Sequence, residues 1–205
     1  GSPRPDLFLT VREKTEAREL LHKRLPGDKP LVIVHPFHKG STCNLPIETY
    51  AEVVKRLGET GTIRICVTGS KEDAARWHSA TPGLEVDCAW ISCGELTLRQ
   101  FFGVVAHASV MVVGSTGTLH VASALNVPTV GIFCPHPTVA PVLWRNLVPS
   151  SIELSPARDH CKRYHDKSIV DCGFPGGPSP EQVVSAAMSL LPSDMSGANA
   201  DEETR

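Results

Sequence analysis

The chain has 205 residues, of which 41% are hydrophobic, and a formal net charge of -2. That composition supplies one α/β core, and no apolar run approaches the ~18 residues that a membrane span needs. The small net charge gives no long-range field for a nucleic-acid partner. Seven cysteines, an odd number with no secretory leader before them, favour reduced thiols in a cytoplasm. We therefore expect a cytoplasmic protein without a transmembrane segment.

Short apolar runs alternate with helical patterns along the chain. The apolar runs predict strands at residues 31–34, 62–67, 110–113 and 129–133. The helical patterns predict helices at residues 10–25, 46–57, 97–107, 118–125 and 179–191, and one more that starts at residue 70. Three of them open with a capping-box pattern, at Thr10, Thr97 and Ser179. Strands that alternate with helices predict an α/β fold with a Rossmann-like, doubly wound parallel sheet.

Composition and pattern divide the chain into three parts. We interpret residues 1–29 as a linker and N-terminal helix, and residues 30–192 as a single Rossmann-like domain. Residues 193–205 are polar and acidic and have no periodicity, which predicts a disordered tail.

The segment from Val110 to Phe133 carries the strongest functional pattern. A strand is followed by the polar turn 114–117 and by a helix with His120 on its first turn. Unpaired amides and the positive dipole end at a helix start bind anions without a formal charge. The segment therefore predicts a phosphate-binding loop. The alternative is a turn that only caps its helix, with a histidine that packs against it.

The Ser-Thr-Gly-x-x-His motif that begins at Ser115, with the Asn-Val-Pro turn at Asn126, resembles the donor-binding motif of a known family. That family is the ADP-heptose:lipopolysaccharide heptosyltransferases and their relatives, glycosyltransferase family 9. Residues 32–36 and 44–50 resemble the strand and loop that open the second half of these enzymes, and the resemblance extends from about residue 30 to 191. It implies the GT-B fold, two Rossmann-like domains facing across a cleft. This chain resembles only the C-terminal, nucleotide-sugar-binding half.

The resemblance also implies a function. It implies an inverting transfer from a nucleotide-diphosphate sugar, most simply ADP-heptose, to a glycolipid acceptor in lipopolysaccharide or other surface-glycan synthesis. The general base belongs to the missing N-terminal Rossmann-like half, so we expect this chain alone not to catalyse transfer and to need no cofactor. The implied location is the cytoplasm, with a peripheral position at the inner membrane left open. The alternative is a stand-alone nucleotide or nucleotide-sugar binding module without turnover.

Ligands of a doubly wound sheet lie outside the carboxyl ends of its strands, so the candidate residues lie in loops. The expected diphosphate ligands are Gly114, Ser115, Thr116, Gly117, Thr118, His120, Lys39, Ser41 and Thr42. Of these, Lys39 and His120 would stabilise the leaving group. Many family members carry Asp where this chain has Ser115, so no role of that carboxylate is carried over. Lys39, Ser41 and Thr42 lie in the donor-rich loop 35–42, for which an ordinary solvated loop before a helix N-cap region remains the alternative.

Two further loops contain candidate ligand residues. Glu72 is a candidate ribose ligand, although Ser70 and Asp73 beside it also fit simple helix capping. The resemblance places the loop 93–96 at the edge of a nucleobase pocket.

A zinc site is one interpretation of the cluster His160, Cys161, His165 and Cys172. Their spacing, however, lacks the paired short gaps of structural zinc sites. We therefore expect no metal, and interpret residues 158–167 as a basic surface loop that lines an acceptor cleft.

Overall fold

The computed structural model describes residues 6–40, 42–160 and 174–192. It confirms the predicted α/β fold, with six parallel strands in one sheet. The strands are β1 (Leu31–His35), β2 (Arg64–Val67), β3 (Ala89–Ile91), β4 (Val110–Gly114), β5 (Thr129–Ile132) and β6 (Ile152–Leu154). The helices are α1 (Val11–Arg24), α2 (Ile47–Glu59), α3 (Lys71–Ala80), α4 (Leu98–Ala106), α5 (Gly117–Ala124), α6 (Pro141–Trp144) and α7 (Pro180–Ser189). None of the described helices is both long and apolar enough to cross a bilayer.

The strand order is β3-β2-β1-β4-β5-β6, and every neighbouring pair is parallel. Strands β1, β2 and β3 follow one another towards one edge of the sheet. The chain then returns to place β4 beside β1, and β5 and β6 follow towards the other edge. The direction therefore reverses between β1 and β4, where Val32 pairs with Val110 and His35 with Val113. In sheets of this topology the crevice at such a reversal is the usual place for a ligand.

Side-chain caps fix where most of the helices begin. The capping boxes predicted at Thr10, Thr97 and Ser179 are all present, and Ser70 with Asp73 forms a fourth. Each box satisfies two amides that the helix itself leaves unpaired. Helices α2, α5 and α6 begin without a side-chain cap hydrogen bond, and at α5 the N-cap residue is Thr116.

Both faces of the sheet are covered, as the strands without alternation predict. On β1, Val32 and Val34 point into one apolar cluster, whereas Leu31 and Ile33 point into another. The first cluster lies under α2, α3 and α7, and the second under α1, α4 and α5. The central strands are therefore buried, and only the loops at their ends reach solvent.

The structure adds elements that the sequence patterns did not predict. Strands β3 and β6 have only three residues each, which is too short for a periodic signal. Helix α1, interpreted as part of a linker, packs against α4, with Ala17 and Leu21 each 3% exposed. The boundary at residue 30 stays a prediction. The disordered tail predicted at 193–205 lies outside the described residues.

Candidate functional site

A cavity of about 660 Å³ opens at the carboxyl ends of β1, β2, β3 and β4, where the strand order reverses. Its walls come from the loops after these strands and from the first turns of α4 and α5. The lining residues are His35, Phe37, His38, Lys39, Thr68, Gly69, Ser70, Asp73, Ser92, Leu96, Leu98, Phe101, Phe102, Thr116, Gly117, Thr118 and Val121. Four of the predicted diphosphate ligands are among them. The cavity therefore joins two predicted loops, one after β1 and one after β4.

The start of α5 forms the hydroxyl-rich wall of the cavity. Thr116 Oγ1 and Thr118 Oγ1 lie 2.7 Å apart and share a hydrogen bond. Between them Gly117 has open space where a side chain would begin, since a Cβ there would meet no atom within 4 Å. Because no side chain caps the helix, its first amides are available to a ligand. This wall has the donors that an anion requires.

The other residues predicted in this loop lie outside the cavity lining. Gly114 is buried, and the Ser115 amide donates to the carbonyl of Ile132 at 3.0 Å. The His120 side chain is exposed, and its ring centroid lies 5.9 Å from that of Trp144. The structure therefore brings His120 to the start of α5 but on a different side from Thr118.

The loop after β1 contributes a positively charged side chain, that of Lys39, to the cavity. Lys39 is exposed and lines the cavity. Thr42, predicted to be its neighbour in the site, is only 3% exposed, and its hydroxyl donates to the carbonyl of Cys43 at 3.1 Å. Ser41 lies outside the described residues. Of the three predicted ligands in this loop, only Lys39 reaches the cavity among those described.

The loop after β2 brings a different carboxylate to the cavity from the one predicted. Asp73 lines it, whereas Glu72 is exposed and outside the lining. Burial raises the pKa of Asp73, but hydrogen bonds from Ser70 and Arg76 outweigh it and hold the pKa below its usual value. Ser70 and Asp73 form the capping box that the sequence offered as the alternative. The pKa of Glu72 is lowered by its own amide, then by Ser70 and by nearby Lys39.

Part of the cavity lining is aromatic and apolar. Its side chains are Phe37, Leu96, Leu98, Phe101, Phe102 and Val121. The sequence interpretation singled out none of these side chains, although Leu96 lies in the loop 93–96 that the resemblance placed at the edge of a nucleobase pocket. Leu98 is 67% exposed, which is unusual for a leucine at the start of an amphipathic helix. The adjacent Phe101 and Phe102 were the available signal, because one amphipathic face cannot bury both rings. Such a surface suits the flat face of a heterocycle.

His35, at the end of β1, begins the loop 35–42 that the sequence analysis placed at the site, but it was given no role there. Its Nδ1 lies 2.9 Å from Thr68 Oγ1, and its ring centroid lies 6.2 Å from those of Phe37 and Phe101. Burial lowers the pKa of His35 to about 4, against a smaller raising effect of Asp73. His35 is therefore neutral at pH 7. A polar residue that ends an otherwise apolar strand was the signal.

No group of three or more His, Cys, Asp or Glu side chains within the described ranges is arranged to hold a metal ion. Three of the four residues behind the zinc alternative, Cys161, His165 and Cys172, lie outside those ranges, as does most of the expected basic loop. The fourth, His160, ends a short 3-10 helix with its Nδ1 3.8 Å from an Asp159 carboxylate oxygen.

Known proteins resemble this chain in sequence and in fold. A curated Haemophilus influenzae protein, named as a candidate glycosyltransferase, is 27% identical over 149 residues, covering 70% of this chain and 42% of the relative. The crystal structure of a Veillonella parvula family 9 glycosyl transferase superposes with a TM-score of 0.74 at 19% identity, over 93% of this chain and 55% of the other. The E. coli ADP-heptose lipopolysaccharide heptosyltransferase II gives a TM-score of 0.66 at 22% identity, over 92% and 55%.

The two solved structures share the fold, and this chain spans 42% to 55% of the length of these three proteins. The model of the family described as glycosyltransferase family 9 (heptosyltransferase) matches residues 1–170. The match covers the sheet from β1 to β6 and every loop that lines the cavity. The chain therefore belongs to glycosyltransferase family 9, the heptosyltransferase family.

Proposed function

We propose that the cavity binds the nucleotide diphosphate of a sugar donor. On this proposal the chain is the C-terminal, donor-binding half of a heptosyltransferase-like enzyme of lipopolysaccharide or other surface-glycan synthesis. ADP-heptose is the proposed donor, since it appears in the name of the E. coli relative. One observation carries the proposal: a single cavity is lined by a helix start without a side-chain cap, a lysine and aromatic side chains.

The cavity lining offers both kinds of contact that a nucleotide needs. The diphosphate would lie against the amides and hydroxyls of residues 116–118, with Lys39 as the cation. The nucleoside would lie against Phe101 and Phe102, whose rings are apolar and planar. The positive end of the α5 dipole favours the phosphate charge in this orientation.

The chemistry proposed for this half is stabilisation of the leaving group. In an inverting transfer the acceptor hydroxyl attacks the anomeric carbon, its proton passes to a base, and the bond to the nucleotide diphosphate breaks. Helix amides, hydroxyls and Lys39 would hold the negative charge that develops on the departing phosphate. The base and the acceptor site are assigned to the other half of the enzyme, so this half alone would bind donor without turnover.

The remaining predicted ligands take more limited roles. His120 would meet the sugar-side phosphate only where the donor extends past the cavity across the first turn of α5. The Thr42 hydroxyl already donates to a carbonyl, so we assign its side chain no contact with the donor. A ribose contact of Glu72 would require the ribose to lie at the rim near Lys39. Ser41 stays a prediction.

We propose the cytoplasm as the place of action, with a peripheral position at the inner membrane as the finer alternative. Among the described cysteines, none forms a disulfide bond. That agrees with a reducing compartment.

Calorimetric titration of the chain with ADP, adenosine and UDP tests the proposed function. We expect ADP to bind more tightly than adenosine, because the α5 wall and Lys39 act on the diphosphate, and more tightly than UDP if the donor is an adenine nucleotide. Absence of binding at millimolar concentrations of every nucleotide would refute the proposal. Incubation with ADP-heptose and lipopolysaccharide-core acceptors should release no ADP, and acceptor-dependent release would show that the chain is a complete enzyme.

A further inference from the structure

Asn44 lies beneath the cavity, outside its lining, and is only 4% exposed. Its Nδ2 donates to the carbonyl of Pro36 at 3.1 Å. Its Oδ1 accepts from the Leu45 amide at 2.9 Å and from the Tyr50 hydroxyl at 2.7 Å. The side chain therefore closes the loop after β1 on itself, joining its first residue to the helix that follows.

The same side chain also touches the neighbouring loop. A Cβ built on Gly114 would lie 2.8 Å from Asn44 Nδ2, closer than real Cβ atoms come to such a neighbour, and 3.0 Å from its Oδ1, so one of the two residues would have to move. Gly114 is the last residue of β4, directly before the turn that starts α5. Asn44 thus packs against the backbone at the base of the hydroxyl-rich wall.

One buried amide therefore contacts the supports of both polar walls of the cavity. The wall that carries Lys39 begins at Pro36, and the wall that carries residues 116–118 begins at Gly114. Hydrogen bonds to a buried amide are directional, and losing them leaves carbonyl and hydroxyl groups unsatisfied. Asn44 is in a position to set the spacing of the two walls.

We propose that Asn44 is a positioning residue for the diphosphate, which holds the Lys39 wall at a fixed distance from the start of α5. The proposal rests on the proposed function, because it concerns the spacing of two walls around the same ligand. It also explains a glycine at position 114. A side chain there would displace Asn44, so the absence of a Cβ is what lets the amide bridge the two loops.

The competing role for Asn44 is stability alone, and the chain offers a matched control. Asn146 is also an asparagine that is 4% exposed, and its side chain likewise makes three hydrogen bonds, to Val127, Thr129 and Val148. It lies outside the cavity lining. Asn44→Ala and Asn146→Ala should therefore destabilise the fold to a similar degree and differ in ligand binding.

The test compares the affinities of these variants for ADP and for adenosine under conditions where each is folded. Asn44→Ala should weaken ADP binding by about tenfold, the effect of one displaced charged contact, and adenosine binding by less than about twofold. Asn146→Ala should change neither affinity. Gly114→Ala should mimic Asn44→Ala, and the double variant should be no worse than the single ones, because removing the amide makes room for the new methyl group.

Equal ADP affinities of Asn44→Ala and Asn146→Ala would overturn the positioning role, as would an equal loss of ADP and adenosine binding. If Asn44→Ala does not fold, Gly114→Ala carries the same comparison. Hydrogen exchange of the amides at residues 37–40 gives a readout without ligand: it should rise in Asn44→Ala and not in Asn146→Ala. Failure of the unmodified chain to bind ADP would instead refute the proposed function, and the exchange measurement would still decide the role of Asn44.

Discussion

The half-buried His35 at the end of β1 leads to a quantitative prediction about stability in acid. Burial lowers the pKa of His35 from 6.5 to about 4 in the folded chain. The unfolded chain therefore binds the proton more tightly, and stability falls as the pH drops from about 6.5 towards 4. At about 1.36 kcal/mol per pKa unit, the full shift is about 3 kcal/mol, of which about 2 kcal/mol is lost between pH 7 and pH 5.

Urea unfolding at half-unit pH steps from 7.5 to 5 measures this loss as a fall in the free energy of unfolding. The carboxylates whose pKa is lowered in the fold, such as Glu13 with a pKa of about 2, lose their contribution only below about pH 5. His35→Gln should flatten the slope between pH 6.5 and 5, whereas replacement of the exposed His78 by Gln should leave it intact. An unchanged slope in His35→Gln would refute the assignment of a neutral His35 with a lowered pKa.

Three further predictions concern ligand binding and the packing of the loop after β3. Lys39→Ala should weaken ADP binding by about 10- to 100-fold in calorimetry, and Lys29→Ala, outside the lining, should not. Gly94→Ala should lower the free energy of unfolding by about 3 kcal/mol, because its φ is +77° and its Cβ would lie 2.7 Å from the α3 backbone. Gly83→Ala, with φ +72° and open space, should cost about 1 kcal/mol, and equal losses would contradict the packing argument. His120→Ala should weaken ADP binding less than Lys39→Ala, and the opposite ranking would return His120 to the site.

Local signals predicted the framework of the fold well. Each predicted capping box formed, because the side-chain and amide groups that make it are only three residues apart. The unbroken apolar runs predicted parallel strands buried on both faces, and β1 has four buried residues in succession. These features depend on neighbours in the sequence, so one sequence is enough to predict them.

The walls of the cavity were harder to predict because they depend on contacts between distant segments. His120 illustrates this point. It follows Thr118 by two residues, which is about 200° around a helix, so the two side chains face different ways. Thr118 and Val121 share the cavity face instead. The motif identifies the loop that lines the cavity. The direction in which α5 leaves that loop decides which of its side chains reach the ligand.

The aromatic part of the lining could not be assigned for the same reason. The adjacent Phe101 and Phe102 indicate that one helix face cannot bury both rings, but the sequence does not show what they face; in the structure Phe101 lies beside His35 at the end of β1. Asn44 is similar, since its contact with Gly114 joins residues seventy positions apart. Sequence patterns predict which loops form such a site, whereas the packing of the helices determines which side chains line it.

A crystal structure of the chain soaked with ADP tests the central claim most directly. We expect the diphosphate within hydrogen-bond distance of the Gly117 and Thr118 amides, with the Lys39 ammonium as its cation and the adenine against Phe101. Repeating the soak with Lys39→Ala crystals should lower the occupancy of the same site without moving it. Density for ADP at any other surface, with this cavity empty, would contradict the account.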